Sequence, residues 1–226
     1  MFYTILEFLV TPQGLATIFL ILFIAPLFVY FLEKKKRYAT LKEYFNAYFS
    51  WTNGLCFDFS GERFYFSDQG QSVGSQGYGG IARQPIVWTY TQPCFSFFCA
   101  TPSIKKYQFT WNLGSCPYEK IITISGNDIL IGSETEYFLE LIIKSISKNN
   151  EVAQSLSDLI KNKGSYLRVS EEYIIGRGSL ISNKNILRYY IVDTEVYSNP
   201  FALEQSLKNI CTVLQGFGVK IEKVSK

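Results

Sequence analysis

Hydrophobic and polar positions along the chain fall into three successive patterns. Residues 14 to 32, GLATIFLILFIAPLFVYFL, carry no charge over about 19 positions, close to the roughly 20 that a helix needs to cross hydrocarbon. Thr11 and Pro12 ahead of them suit an N-cap and a first helical residue. Pro26, a breaker in water, is tolerated in lipid, and Tyr30 sits where an interfacial aromatic is expected. The pattern predicts a single transmembrane helix spanning about 12–33 within a membrane anchor of residues 1–37. A cleaved signal peptide fits poorly: residues 1 to 13 hold no Lys or Arg, the apolar stretch is too long, and no small-x-small site follows it.

Beyond the anchor the period changes. Leu41, Phe45 and Tyr48 recur at helical spacing, which predicts a helical lead-in over 38–50, closed by Asn53-Gly54. Residues 55–131 alternate with period two. Phe57/Phe59 and Phe64/Phe66 flank Ser60-Gly61 as a hairpin, and PIVWTYTQ, KKYQFTWNLG and EKIITISGNDILIGS add further strands. The simplest arrangement is a meander of about six antiparallel strands. From 133 to 226 helices and strands mix. Ser133-x-x-Glu136 reads as a capping box before a first helix, and a second starts near Glu151 and closes at Gly164. Strands follow at 166–176 and 185–197. Asn199-Pro200 then opens a third helix with Leu203, Leu207, Ile210, Cys211 and Leu214 on one face, ended by Gly216 and Gly218, with VKIEKV as a last strand. The predicted fold class is α+β: a transmembrane helix, then a domain over 38–226 in which about three amphipathic helices pack on a largely antiparallel sheet.

Charge fixes an orientation. Glu33 is followed by Lys34, Lys35, Lys36 and Arg37, whereas the N-terminal flank has no cation. The positive-inside rule puts the N-terminus outside and the domain on the cytoplasmic, or organelle-interior, side. These four residues are the topological determinant. The net charge is only +3, so the remainder is near neutral and offers no extended phosphate-binding face; no nucleic-acid partner is expected. The five cysteines, Cys56, Cys94, Cys99, Cys116 and Cys211, show no C-x-x-C spacing and read as buried thiols in a reducing compartment; Cys94 and Cys99 are the pair to test for a bridge if the domain lies outside.

The chain has no histidine. That removes the usual general base and the commonest metal ligand, and it counts against catalysis. The glycine-rich DQGQSVGSQGYGG, residues 68 to 80, lacks GK[ST] and precedes a strand-like run, so it reads as a flexible connection rather than a phosphate cradle. Asp58, Glu62, Asp68, Glu171, Glu172 and Asp193 form no acid/base pair, and GRGS at 176–179 suits a hairpin turn as well as it suits an anion contact through Arg177. Aromatic residues are dense between Phe57 and Trp111. In CFSFFCA, Phe95, Phe97 and Phe98 occupy both faces of one run, which predicts a strand covered on one side by a helix and on the other by a partner or bilayer; with Tyr78 they are the candidate partner contacts.

These observations point to a non-enzymatic single-pass membrane protein, an accessory, scaffold or assembly subunit docking on a larger complex. The expected partners are other subunits of that complex and the lipid bilayer, with no catalytic residues, no cofactor and no metal. A membrane-tethered ligand-binding or regulatory domain and a histidine-free anchored enzyme are the two other classes. A pocket with convergent polar groups would favour the first, and a strongly perturbed carboxylate in a cleft the second.

Overall fold

The computed structural model describes residues 11–13, 15, 25–50, 54–73, 80–92, 95–103, 116–161, 165–175, 181–191 and 194–221. The chain divides into two compact units, Met1–Thr40 and Leu41–Lys226.

In the first unit Pro12, Gln13 and Leu15 are helical, with the Leu15 N–H donating to the Thr11 carbonyl. Helix α1 runs over Ala25–Arg37. Phe28, Val29, Tyr30 and Leu32 are all exposed, and successive residues lie about 100° apart round a helix, so α1 has no polar face over this stretch. Its last turn holds Lys34, Lys35, Lys36 and Arg37, where cations complement the helix dipole. Lys34 lies over the Tyr38 ring at 5.8 Å. No helix among the described residues is long and apolar enough to cross a membrane. Residues 16–24, the middle of the expected span, lie outside the described residues.

Helix α2, Ala39–Tyr44, stops earlier than the expected helical lead-in. Asn46 takes a positive φ of 49° and the chain turns into strand β1, Tyr48–Ser50. The second unit is built on one nine-stranded sheet. In chain order its other strands are β2 (Gly54–Phe59), β3 (Glu62–Val73), β4 (Gly80–Thr91), β5 (Phe97–Ala100), β6 (Tyr118–Ile124), β7 (Asn127–Ser133), β8 (Tyr166–Ile175) and β9 (Ile181–Tyr190). Every recorded pairing is antiparallel, and the spatial order is β1-β2-β3-β4-β9-β8-β5-β7-β6.

A simple meander is therefore corrected. The β8–β9 hairpin comes from the last third of the chain and wedges between β4 and β5, which are neighbours in sequence. Period-two alternation reports which residues share a face, not which strand lies alongside. The connection expected to be flexible is also partly strand: Asp68 to Val73 pair with Pro85 to Gly80, while residues 74–79, Tyr78 among them, lie outside the described residues. The expected strand KKYQFTWNLG lies outside them too. The second hairpin strand of the last third ends at Tyr190, and residues 194–197 form a 3-10 turn instead of more strand.

The hairpin turns obey local chemistry. Ser60 and Gly61 both take positive φ, 54° and 82°, as do Ser125 and Gly126 at 50° and 81°, the geometry that matches strand twist in a two-residue turn.

Three helices cover one sheet face: α3 (Glu136–Lys148), α4 (Asn150–Ile160) and α5 (Pro200–Gly216). The α3 cap is Thr135, whose hydroxyl accepts from the Phe138 N–H at 3.3 Å. Ser133, expected as the cap, ends β7 and donates to the Ser96 carbonyl at 3.2 Å. The strand continues two residues further than the box pattern suggested, and the next hydroxyl takes the capping role. Asn149 caps α4 and Asn199 caps α5, with Pro200 in its first turn. The helices meet closely, since a Cβ on Gly216 would stand 2.4 Å from Val152 Cγ2.

The main core lies between these helices and the sheet. Phe97 meets Phe217 edge to face at 5.4 Å, Phe95 stacks on Phe138 at 4.1 Å, and the Tyr189 hydroxyl donates to the Leu159 carbonyl at 2.9 Å. Leu156, Leu159, Leu203, Leu207 and Ile210 are fully buried against it. On the opposite sheet face, a smaller buried cluster joins Ile86, Phe98, Ala100, Cys116, Leu130, Tyr166 and Tyr190, with Trp88 packed against it.

Candidate functional site

Register alone assembles an unusual row on the sheet face opposite the helices. Cys56 stands opposite Tyr65, Tyr65 opposite Trp88, Trp88 opposite Arg188, Arg188 opposite Arg168, and Arg168 opposite Phe98. Directly opposed residues point to the same side of a sheet, so one ladder of side chains crosses six strands. Tyr65, Trp88, Arg188 and Arg168 are half-buried along it.

Packing orders the aromatic end. Tyr65 and Trp88 stack with centroids 4.0 Å apart and planes 12° from parallel, and Tyr90 meets both edge-on at 6.0 and 5.5 Å. Such ring geometries are worth roughly 0.5–1.5 kcal/mol each beyond area burial. Arg63 is paired with Asp58 at 3.0 Å, and Cys56 donates to the Tyr48 hydroxyl at 2.9 Å. At the other end Phe98 fits because its neighbour is Gly132: a Cβ there would lie 2.1 Å from Phe98 Cε1.

The titratable groups at this end of the row are held in their ordinary protonation states. Burial, helped by the Cys56 thiol, pushes the Tyr65 phenol up to about 12, so the ring stays neutral at physiological pH. The Asp58 carboxylate raises the Arg63 guanidinium further, and that carboxylate is occupied by the pair. Trp, Tyr and Arg are the side chains that dominate binding energy at protein interfaces, because they combine large rigid area with directed polar groups.

A second concavity lies on the helix side of the second unit. Its cavity of 1080 Å³ is lined by Ser60, Glu62, Gln92, Cys211, Gln215 and Lys220, among others. The Cys211 thiol donates to a Glu62 carboxylate oxygen at 3.8 Å. Burial, then the nearby Glu62 charge, raises that thiol to about 12, which removes it as a thiolate nucleophile. Burial likewise pushes Cys99 well up. Elsewhere, the Lys208 ammonium and the Tyr44 hydroxyl hold Glu204 below the usual carboxylate range, the opposite of a general acid's shift. Among the described residues no cluster of His, Cys, Asp or Glu could hold a metal ion.

The residues singled out from sequence are placed as follows. Lys34 to Arg37 end α1. Phe95, Phe97 and Phe98 are all buried, their rings filled by Phe138, Phe217 and the Gly132 gap within the same chain. Tyr78, Cys94, Asp193 and the GRGS segment lie outside the described residues. Cys99, Cys56 and Cys116 are buried thiols outside any disulfide. Asp68 accepts from Tyr197, and Glu171 is exposed. The arginine pair was missed in the sequence, although a signal existed. Residues 168 and 188 are equidistant from position 178, the midpoint between the ends of β8 and β9, so a hairpin centred there places them face to face. Comparison of the chain with family models, with curated proteins and with solved structures finds no match in any of the three.

Proposed function

We propose that this chain is a non-enzymatic, single-pass membrane protein that serves as an accessory or scaffold subunit of a larger membrane complex, docking through the sheet face opposite its helices. One observation carries the reading: the Tyr65–Trp88–Arg188–Arg168 row, rich in the residue types of interface anchors and half-buried on the sheet face opposite the helices described in the second unit. The docking surface thereby moves from Phe95, Phe97 and Phe98, which are occupied inside the chain, to this row. The anchor is supported by the uncharged stretch 14–32, the exposed apolar residues around α1 and the cations that end it. The same cations favour an outside N-terminus and a domain on the cytoplasmic or organelle-interior side.

Extraction of native membranes in mild detergent, followed by sizing, tests the reading. The wild-type chain is expected in a particle larger than a monomer, and Trp88→Ala is expected to release it. A lone wild-type monomer would sink the proposal. Retention in the membrane pellet after alkaline carbonate washing tests the anchor separately.

The 1080 Å³ cleft beside Cys211 favours one other reading, a membrane-tethered ligand-binding domain. Thermal stabilisation by a small-molecule panel that Glu62→Gln and Gln215→Ala abolish, with particle size unchanged by Trp88→Ala, would favour it.

A further inference from the structure

We infer that β6 is a self-association edge, along which two copies of this chain pair antiparallel about a two-fold axis at Ile122, continuing the sheet of one copy into the other. Strand β6 ends the nine-stranded sheet and pairs with β7 alone. Its second half, Ile121 to Ile124, is β-branched throughout and carries no charge, proline or bulge. Those are the devices that keep a sheet edge from pairing with another chain. Tyr118 and Ile121 are 45% and 55% exposed along it.

The turn after β6 decides which backbone groups face outwards. Ser125 and Gly126 both take positive φ in a two-residue turn, so the flanking pair, Ile124 and Asn127, exchanges both main-chain bonds, and bonding alternates from there. Ile122 therefore bonds to Ile129 on β7, while Ile121 and Thr123 direct their N–H and C=O groups to the open edge. Among the described residues no other backbone hydrogen bond engages these two. An edge of this kind takes an added strand by main-chain bonding, and pockets beside it select the alternate side chains. A cavity of 490 Å³ lies there, lined by Ile122, Ile124, Ile143 and Ile146 among others. No residue of β7 lines it, which sets it on the open side of β6, beside α3.

The strand that suits this edge is β6 itself. About a two-fold axis one residue meets its own copy. Centring on Glu119 or Lys120 opposes like charges, and centring on Thr123 carries the copy past the Ser125–Gly126 turn. Centring on Ile121 sets Lys120 against the Ile122 that lines the cavity. Centring on Ile122 sets Ile121 against Thr123 of the second copy, Lys120 against Ile124, and brings the Ile122 of each copy to the cavity of the other. The helices agree with this choice of occupant. Helix α3 packs over β6 and β7, with Glu136 and Glu140 in its first half and Lys144 and Lys148 in its second, all exposed. A two-fold axis normal to the sheet runs the two α3 helices antiparallel, so the acidic half of one faces the basic half of the other.

The test uses the purified full-length chain in non-ionic detergent, with its protein mass read by light scattering over a dilution series. The wild type is expected as a dimer. Ile121→Lys, a change at an exposed position, is expected to keep the thermal midpoint and raise the dimer dissociation constant at least tenfold. In the paired register the two Ile122 Cα atoms stand about 4.5 Å apart, within disulfide reach, whereas the two Tyr118 positions are roughly 26 Å apart. Mild oxidation is therefore expected to link Ile122→Cys into a reducible dimer and to leave Tyr118→Cys unlinked; this reads the same interface if Ile121→Lys does not fold. A wild-type monomer at every concentration, a dimer that Ile121→Lys leaves intact, or equal linking from both cysteine variants overturns the inference. Trp88→Ala is expected to leave the purified dimer unchanged. The docking reading is measured on the native-membrane particle instead, so the two stand or fall on separate results.

Discussion

The two faces of the sheet are made from the same strands and solve different problems. The helix-covered face is filled by Phe64, Phe66, Val87, Leu167, Leu187 and Phe97, all fully buried. The opposite face shares those backbones yet carries a small apolar cluster interrupted by the aromatic and arginine row. Alternation along each strand makes this division possible, since every second residue belongs to the other side. The contrast separates a face filled by helices from one whose middle row stays half-buried.

Perturbing each face in turn sharpens that contrast. Phe97→Ala removes a ring packed on Phe217 and is expected to cost about 3–5 kcal/mol in denaturant unfolding. A cost below about 1 kcal/mol would mean the helix face is not the main core. On the other face, Gly132→Ala drives a Cβ into Phe98 and is expected to cost about 1–3 kcal/mol by overpacking. Restoration of stability by Gly132→Ala with Phe98→Leu would confirm the clash.

Thiol chemistry probes the helix side without mutation. Cys211 has a native value of about 12 against an ordinary thiol near 9. The raised value means its contribution to stability is fully present below about 9 and is lost as pH rises towards about 12. At pH 9, alkylation by iodoacetamide is expected to be at least tenfold slower in the folded than in the denatured chain, and equal rates would contradict the buried setting. The smallest effect is expected from Asn199→Ala, which deletes the side-chain acceptor for the Ala202 N–H at 3.3 Å and should cost about 1 kcal/mol, read as a lowered thermal midpoint.

Much of the local structure was legible because its causes are local. Ser60-Gly61 and Asn199-Pro200 announce a turn and a helix start through backbone preferences that operate within four residues. Strand order was not legible, because the hairpin of β8 and β9 enters between β4 and β5 across about 90 residues of chain, and alternation carries no information about partners. The fate of Phe95, Phe97 and Phe98 was half legible: their placement on both faces follows from alternation, but covering by Phe138, Phe217 and the space at Gly132 depends on long-range packing. The arginine row escaped for the same reason. Each residue looks like an ordinary polar position in its own strand, and only register brings them together.

The division of labour between the faces is tested most directly by photo-crosslinking in native membranes, with a photoreactive amino acid placed at Trp88 or, on the helix side, at Tyr137, which is 69% exposed. A discrete protein adduct from position 88, lost when Arg168 and Arg188 are both changed to Glu and absent from position 137, is the predicted result. No adduct at 88, or the same adducts from both positions, would contradict the account.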